Sequence, residues 1–404
     1  MAYDKSVFIL GAGASVPANG PLLKDFLRRA RELLDNPNSL LDDDEREIFK
    51  RVFDWKFEKY PLPRFLNLDL ENIENLFCLV DMSCQLGFNK AKDTRNDLIR
   101  VISRTLDLEI RFDKLDHQRI IDKEESKTIK DSCSSILSIN DNINEQVTDQ
   151  TYFKFIEMLF RWTYSHGKDV TKTGYDSIIT LNYDIGYDKA LDAQGIPFTY
   201  DAHWSGDSDS GFKLLRLHGS TNWRRCTKCK KIKVEKEFDK LTKIPDSTLY
   251  NIEIAKRIYN TPCECGGKCI PFIVPPTWNK LEYSKDLSCI WTSASKELEQ
   301  ATRLIIIGYS LPETDNFFKY LLALGLSKNQ SLQQIIIINP ERGSEGRELN
   351  MRYANFITKS FNILEFDTWQ VRFQEGIELL GMWRNNSKDF KIKRQQYEEE
   401  VKNQ

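Results

Sequence analysis

"GAGASVPANG", residues 11–20, directly follows the apolar run "SVFIL" of residues 6–10. A strand, a tight Gly-x-Gly turn and the helix-like stretch "PLLKDFLRRARELL" (21–34) together read as the entry unit of a dinucleotide-binding fold. In such a unit glycine lets the backbone approach a pyrophosphate, and the following helix N-terminus attracts its negative charge. The full Gly-x-Gly-x-x-Gly pattern is not met, because Val16 stands where the third glycine belongs. Nor does an acidic residue close a second strand about twenty positions later, as the dehydrogenase fingerprint requires. Alone, the turn fits nucleotide binding and a merely tight strand-to-helix connection equally well.

Working outward, "RLIIIG" (303–308) and "QIIIIN" (334–339) repeat the near-continuous apolar character of residues 6–10, and "DSIIT" (176–180) is a shorter relative. Runs of Ile and Leu without alternation suit a parallel sheet covered on both faces. Between the two long runs, "PETDNFFKYLLALGL" supplies a helical crossover, so the fold reads as doubly wound α/β. Two segments interrupt it. Residues 41–170 carry helix-like periodicity, as in "LENIENLFCLVDMSCQL" (70–86) and "TYFKFIEMLFRWTYSHG" (151–167), and read as a helical insertion. Residues 223–272 hold five of the nine cysteines, and the tail 385–404 is charged and reads as a solvated helix or a frayed end.

Composition limits the setting. A chain of 404 residues with 40% hydrophobic content can bury a substantial core and hold more than one domain. The net charge of −2 excludes a globally basic nucleic-acid binder. No apolar run is long enough to span a membrane and the N-terminus enters a strand at once, so a soluble, cytoplasmic protein is expected. An odd number of cysteines, several clustered, points to metal ligands and buried thiols rather than a disulfide framework.

Cys226-x-x-Cys229 is a zinc half-site, since two thiolates on one tight turn can share a tetrahedral ion. Cys263-x-Cys265 is the returning half, one residue short, with Cys269 as a spare candidate. Four thiolates fill the coordination sphere, so the site reads as structural; the bland alternative is five thiols that never meet. Arg224, Arg225, Lys228, Lys230, Lys231 and Lys233 crowd this knuckle. Such a cluster reads as a solvated face, with a nucleic-acid patch as the minority alternative.

"TLNYD" (180–184) ends a core strand and "RLHGS" (216–220) follows another apolar step just before the cysteines. Ligands of open α/β sheets bind beyond the carboxyl ends of the strands, where both motifs fall. Asn182 offers uncharged donors and an acceptor there, and His218 is the side-chain type suited to proton transfer near neutrality. Helix capping by Asn182 or Asp184, or a purely structural histidine, are the plainer readings.

Taken in order, Gly-Ala-Gly-x-Ser, Thr-x-Asn-x-Asp, Leu-His-Gly-Ser, paired cysteines, "IIIGYS" and "IIIINPE" resemble the sirtuin family. The set looks most like the prokaryotic sirtuin-like NAD-consuming proteins of antiphage defence, over residues 1–35 and 175–345. The resemblance implies a Rossmann-like NAD-binding domain (1–40, 171–222 and 273–384), a helical insertion (41–170), a zinc-ribbon module (223–272) and the tail (385–404). By residue match it implies that Gly11, Ala12, Gly13 and Ser15 hold the pyrophosphate and adjoining ribose, with Thr180 among the residues of the NAD site. Asn182 and Asp184 would face the nicotinamide ribose, His218 would be the catalytic base, Gly308 and Ser310 would line phosphates and ribose, and Asn339 would lie near the adenine-side ribose.

Departures from the family bear on the reaction. Protein-deacylating sirtuins carry Gly-Ile-Pro-Asp-Phe-Arg after the first loop, where this chain reads "PANGPLLKDFL", and a glutamine where it has Leu181. Their acyl-lysine peptide adds as a strand beside a segment that here reads "FIVPPTWNK", and Pro275 and Pro276 have no N–H to offer a ladder. The expectation is therefore an NAD hydrolase releasing nicotinamide and ADP-ribose, with Asn182 holding water or ribose hydroxyls, His218 accepting a proton, Asp184 orienting and His203 as runner-up base. A deacylase or ADP-ribosyl transferase, or an NAD-sensing or nucleic-acid-binding subunit of a defence complex, are the alternatives. Uncontrolled NAD hydrolysis would poison its own cell, so an off state set by homo-oligomer assembly or by a partner is expected. The resemblance implies a HerA-type ATPase as one such partner.

Overall fold

The computed structural model describes residues 5–59, 68–110, 151–165, 176–205, 211–235, 258, 260–276, 283–312, 315–358 and 365–402. Its centre is a parallel seven-stranded sheet. In chain order the strands are β1 (Ser6–Leu10), β2 (Ser177–Thr180), β3 (Phe198–Thr199), β4 (Phe212–Arg216), β8 (Arg303–Ile307), β9 (Gln334–Ile338) and β10 (Glu365–Trp369). They lie side by side as β10-β9-β8-β1-β2-β4-β3, with β1 held between β8 (Phe8 opposite Ile305) and β2 (Phe8 opposite Ile178). The four apolar runs read as buried strands occupy the middle of this sheet, and β1, β2 and β9 are buried along their whole length. Chain order reverses direction across the sheet at β1, so the loops beyond the carboxyl ends of β1, β2 and β8 lie together at the switch point, where open α/β sheets form their ligand crevice.

Among the described residues, four helices lie in the chain between β1 and β2, beyond α1 (Phe26–Asp35): α2 (Asp43–Lys59), α3 (Ile73–Gln85), α4 (Ala91–Glu109) and α5 (Thr151–Ser165). Residues 111–150 of the expected insertion lie outside the described residues. Local chemistry explains their starts. Asp42 accepts from the N–H of Glu45 (2.8 Å) while Glu45 accepts from that of Asp42 (3.1 Å), a reciprocal cap at the head of α2. Asn72 caps α3 through the Glu74 N–H at 2.8 Å. Helix α4 is the hub, packing on α1, α2 and α3 and tied to them by Arg29–Glu109 (3.0 Å) and Arg104–Glu45 (2.6 Å).

A second, three-stranded antiparallel sheet orders β6 (Ile232–Val234), β5 (Gly219–Cys226) and β7 (Cys269–Ile273) side by side. Strand β5 starts one residue after His218 and ends on Cys226, so it joins the crevice to the cysteine cluster directly. Helix α4 packs against β7. The remaining helices among the described residues are α6 (Gly186–Ala193), α7 (Ser284–Gln300), α8 (Asn316–Ser327), α9 (Gly343–Tyr353), α10 (Phe373–Arg384) and α11 (Phe390–Lys402). Helix α11 answers the expectation for the tail: it buries no residue, yet Arg394 pins it beside the edge strand through Asp367 (2.6 Å) and the Thr368 carbonyl (2.9 Å).

Candidate active site

The first difference from the sequence reading lies in the opening loop. After β1 the chain forms a 3-10 turn over Ala12–Ala18 that contains Pro17, and the first α-helix begins only at Phe26. The loop's glycines are required by a neighbouring loop. Gly308, at φ +60°, sits so close that a Cβ on it would lie 2.3 Å from the Ala14 nitrogen, and one on Gly13 would lie 2.7 Å from the Gly308 Cα. The Gly13 N–H donates to the Gly308 carbonyl at 2.8 Å, knitting the loops after β1 and β8 into one backbone surface. Side chains at Gly13 or Gly308 would push the two apart.

Beside that surface the end of β2 delivers three polar groups. Asn182 Nδ2 donates to the Gly11 carbonyl and to Ser15 Oγ, both at 2.9 Å. Ser15 Oγ donates to Asp184 Oδ2 at 2.8 Å, and Asp184 Oδ1 accepts from the Gly186 N–H at 3.0 Å. Asn182, Ser15 and Asp184 are thus one buried, mutually oriented network. Thr180 is fully buried and accepts from the Asn182 N–H at 3.1 Å, so it shapes the turn from beneath. Asn182 spends its amide on this buried network, and Asp184 both joins the network and holds the first N–H of the helix that begins at Gly186.

Below this network lies a buried ion pair that sequence reasoning missed. Arg216 and Asp188 are both 0% exposed and bonded to each other, Tyr200 also donates to Asp188, and Arg216 Nη1 reaches the Asn182 carbonyl at 3.2 Å. Burial alone would lower the Arg216 pKa, but the Asp188 carboxylate more than offsets it and holds the guanidinium charged. Arg216 stood inside the quoted "RLHGS" and Asp188 four residues past Asp184; only the packing of α6 on β4 makes them partners.

His218 is 8% exposed and follows β4 on the adjoining loop. Its carbonyl accepts from the Val274 N–H at 2.7 Å, while the Val274 carbonyl accepts from the Tyr183 hydroxyl at 2.7 Å. The Leu217 N–H donates to the Thr180 carbonyl at 3.0 Å, fastening the histidine loop to the asparagine loop. The structure therefore gathers Gly11, Ala12, Gly13, Ser15, Asn182, Asp184, His218 and Gly308 on neighbouring loops at one end of the sheet. Ser310 follows on the β8 loop, next to Leu311 in the left-handed region at φ +48°. Asn339 stands one strand further out, its side chain accepting from the Glu341 N–H at 2.9 Å. His203 lies exposed after the edge strand β3, separated from β2 by β4.

The long segment before β2 also reaches the site. Tyr152 on α5 is 4% exposed, and Asp107 near the end of α4 is buried against Thr221 of β5. Desolvation pushes the Asp107 pKa up to about 8; Glu45 adds to the rise, while Arg104 and Thr221 oppose it. Neither residue carried a signal in sequence, since both lie within ordinary amphipathic helix patterns.

At the far end of β5 the sulfurs of Cys226, Cys229, Cys263 and Cys265 all lie within 4.8 Å of one another. The sulfur–sulfur separations, 3.5 Å for Cys226–Cys265 and 3.6 Å for Cys229–Cys263, are far too long for a disulfide at about 2.0 Å. They approach the roughly 3.8 Å edge of a thiolate tetrahedron around zinc with about 2.3 Å bonds. The Cys226 sulfur also accepts from the N–H groups of Lys228 and Cys229 at 3.4 Å. This donor set fits a structural zinc. The one-residue-short spacing is accommodated by the turn in which Gly266 N–H donates to the Cys263 carbonyl at 2.7 Å. Cys269 stands outside the four, its sulfur 3.8 Å from Arg224 Nη1. The basic knuckle is partly spent internally: Arg224 pairs with Glu235 (2.7 Å), Arg225 with Asp286 (3.0 Å) and Lys231 with Glu264 (3.1 Å).

No known protein-family model and no curated protein matches this chain in sequence. Among solved structures it is similar to a Sir2 homologue in complex with NAD (15% identity, TM-score 0.40, 95% of this chain and 90% of that one). It is also similar to a Sir2 homologue variant with 2′-O-acetyl-ADP-ribose (16%, 0.40, 95% and 92%). A third is Sir2 bound to the inhibitor EX-527, 2′-O-acetyl-ADP-ribose and deacetylated p53 peptide (12%, 0.36, 95% and 94%). At these scores the likeness carries no conclusion by itself. Among the described residues no helix is long and apolar enough to cross a membrane.

Proposed function

We propose that the protein hydrolyses NAD to nicotinamide and ADP-ribose. The observation that carries this reading is the buried Asn182–Ser15–Asp184 network set against the Gly11–Gly13 turn, with His218 on the adjoining loop. The turn and the Gly308 loop offer closely packed backbone for a pyrophosphate, with Ser15 beside the adjoining ribose. Cleaving the nicotinamide–ribose bond builds positive charge on the ribose ring, as in glycoside hydrolysis. Nicotinamide takes the bonding electrons and departs neutral, so no strong acid is needed. Water then bonds to the ribose carbon, and its proton passes to His218 while Asn182 orients water and ribose hydroxyls, with Asp184 holding Ser15 and Asn182 in register. General-base help of this kind is worth roughly 10²–10⁴-fold.

Water is favoured over an acyl-lysine peptide by the state of the segment after β7. Val274 is already paired through both its N–H and its carbonyl, and Pro275 and Pro276 follow without an N–H. Helix α4 packs against β7 itself. An added peptide strand would find few main-chain donors. On this reading the protein is a cytoplasmic antiphage-defence effector that depletes NAD when activated. Homo-oligomer assembly or a HerA-type ATPase partner holds it off until then. Purified protein in its activated assembly should consume NAD without any acylated peptide, and adding one should not raise the rate. Nicotinamide release that appears only with the peptide, together with a deacylated product, would establish the deacylase instead.

A further inference from the structure

We infer that Tyr152 is a positioning residue for the Asn182 network, and that through it α5 becomes a wall of the active site. The inference rests on the hydrolase reading above. The geometry begins at Gly186, whose N–H holds Asp184 Oδ1 at 3.0 Å. The Tyr152 ring is seated on that glycine: a Cβ there would lie 2.5 Å from the ring's Cζ, so only glycine leaves room for it. The ring also stands edge-on to Tyr187 at 4.7 Å, which fixes its tilt. Its buried hydroxyl is within electrostatic reach of Ser15, which accepts from the Asn182 amide, and of the Asp184 carboxylate, which accepts from Ser15. Burial, reinforced by that carboxylate, raises the Tyr152 pKa well above the ordinary tyrosine value, so the hydroxyl keeps its proton throughout the working range.

Tyr152 thus acts on one carboxylate in two ways: the ring supports the Gly186 backbone that binds Asp184, and the buried hydroxyl interacts electrostatically with its side chain. The consequence is chemical rather than merely architectural. A carboxylate free to rotate would release Ser15, and Ser15 would no longer fix the Asn182 amide toward the ribose. A change in the packing of α5 on α6 and α10 would reach the reacting atoms by the same route, with no ligand contact of its own.

Tyr152→Phe tests this, because it keeps the ring on Gly186 and removes only the hydroxyl. In the full-length protein it should melt close to the parent, lower kcat about tenfold or more and leave KM within about threefold. The Ser15→Ala variant should itself be slow, and adding Tyr152→Phe to it should cost little more, since the two act through the same carboxylate. Unchanged turnover in Tyr152→Phe, or losses that multiply in the double variant, would overturn the assignment. A parent protein that turns over no NAD would refute the hydrolase reading. The same double-variant cycle would then be read on NAD affinity by calorimetry, where coupling sustains the positioning role and additivity overturns it.

Discussion

Replacing Asp107 by asparagine removes one titratable proton from the contact between α4 and β5 while keeping the side chain's shape. In the folded protein desolvation raises the Asp107 pKa from the ordinary 3.8 to about 8 against the opposing pull of Arg104, and Glu45 on α2 adds to the rise. The Arg104 guanidinium is itself committed to Glu45 at 2.6 Å, which explains why it does not hold Asp107 ionised. A folded pKa above the unfolded one means the native state binds the proton more tightly. The associated stability is therefore fully present below about pH 4 and is lost as pH rises toward and through about 8. Each unit is worth about 1.4 kcal/mol, so between roughly pH 6 and pH 8 the parent should lose about 2 kcal/mol through this group alone. That window also avoids the acid range in which protonated thiols release zinc. Urea unfolding followed by tryptophan fluorescence, with zinc held constant, should show the parent's midpoint falling across the window and the Asp107→Asn midpoint falling less. Parallel pH curves for the two proteins would show that Asp107 does not carry a buried proton and would refute the reasoning.

Asn182→Ala should leave melting near the parent value and lower nicotinamide release by at least about a hundredfold, measured on one preparation. His218→Ala should slow turnover by orders of magnitude while NAD binding by calorimetry survives, because proton transfer matters in the transition state more than in the ground state. Asp188→Ala should destabilise by about 3–5 kcal/mol in denaturant unfolding, since it strands the fully buried Arg216 charge and frees the Asn182 carbonyl's partner. Metal analysis should find one zinc per chain, and Cys226→Ser or Cys229→Ser should lose it together with thermal stability. Retention of full melting temperature after complete zinc removal would contradict a structural role.

Much of this protein is legible in its amino-acid order because the relevant physics is local. Unalternating Ile and Leu at 6–10, 303–307 and 334–338 can only be satisfied by strands covered on both faces, and those segments are the centre of the sheet. Cys226 and Cys229 lie three residues apart on a turn, so half of the metal site is written contiguously. Gly11, Asn182 and His218 are visible because each sits where a strand of a parallel sheet must end. What tertiary structure alone decided is which distant groups meet there. Gly13 and Gly308 are required by each other's backbone, 295 positions apart, so the reason for the opening turn is partly a loop that no local pattern mentions. Arg216 and Asp188 neutralise each other only once α6 has packed on β4. The helical segment before β2 reads as an amphipathic interruption, and nothing in its periodicity distinguishes Tyr152 or Asp107 from other inward-facing positions. Periodicity records which face of a helix is buried; what that face is buried against is set by the fold, and here it is Gly186 and Tyr187 for Tyr152 and Thr221 for Asp107.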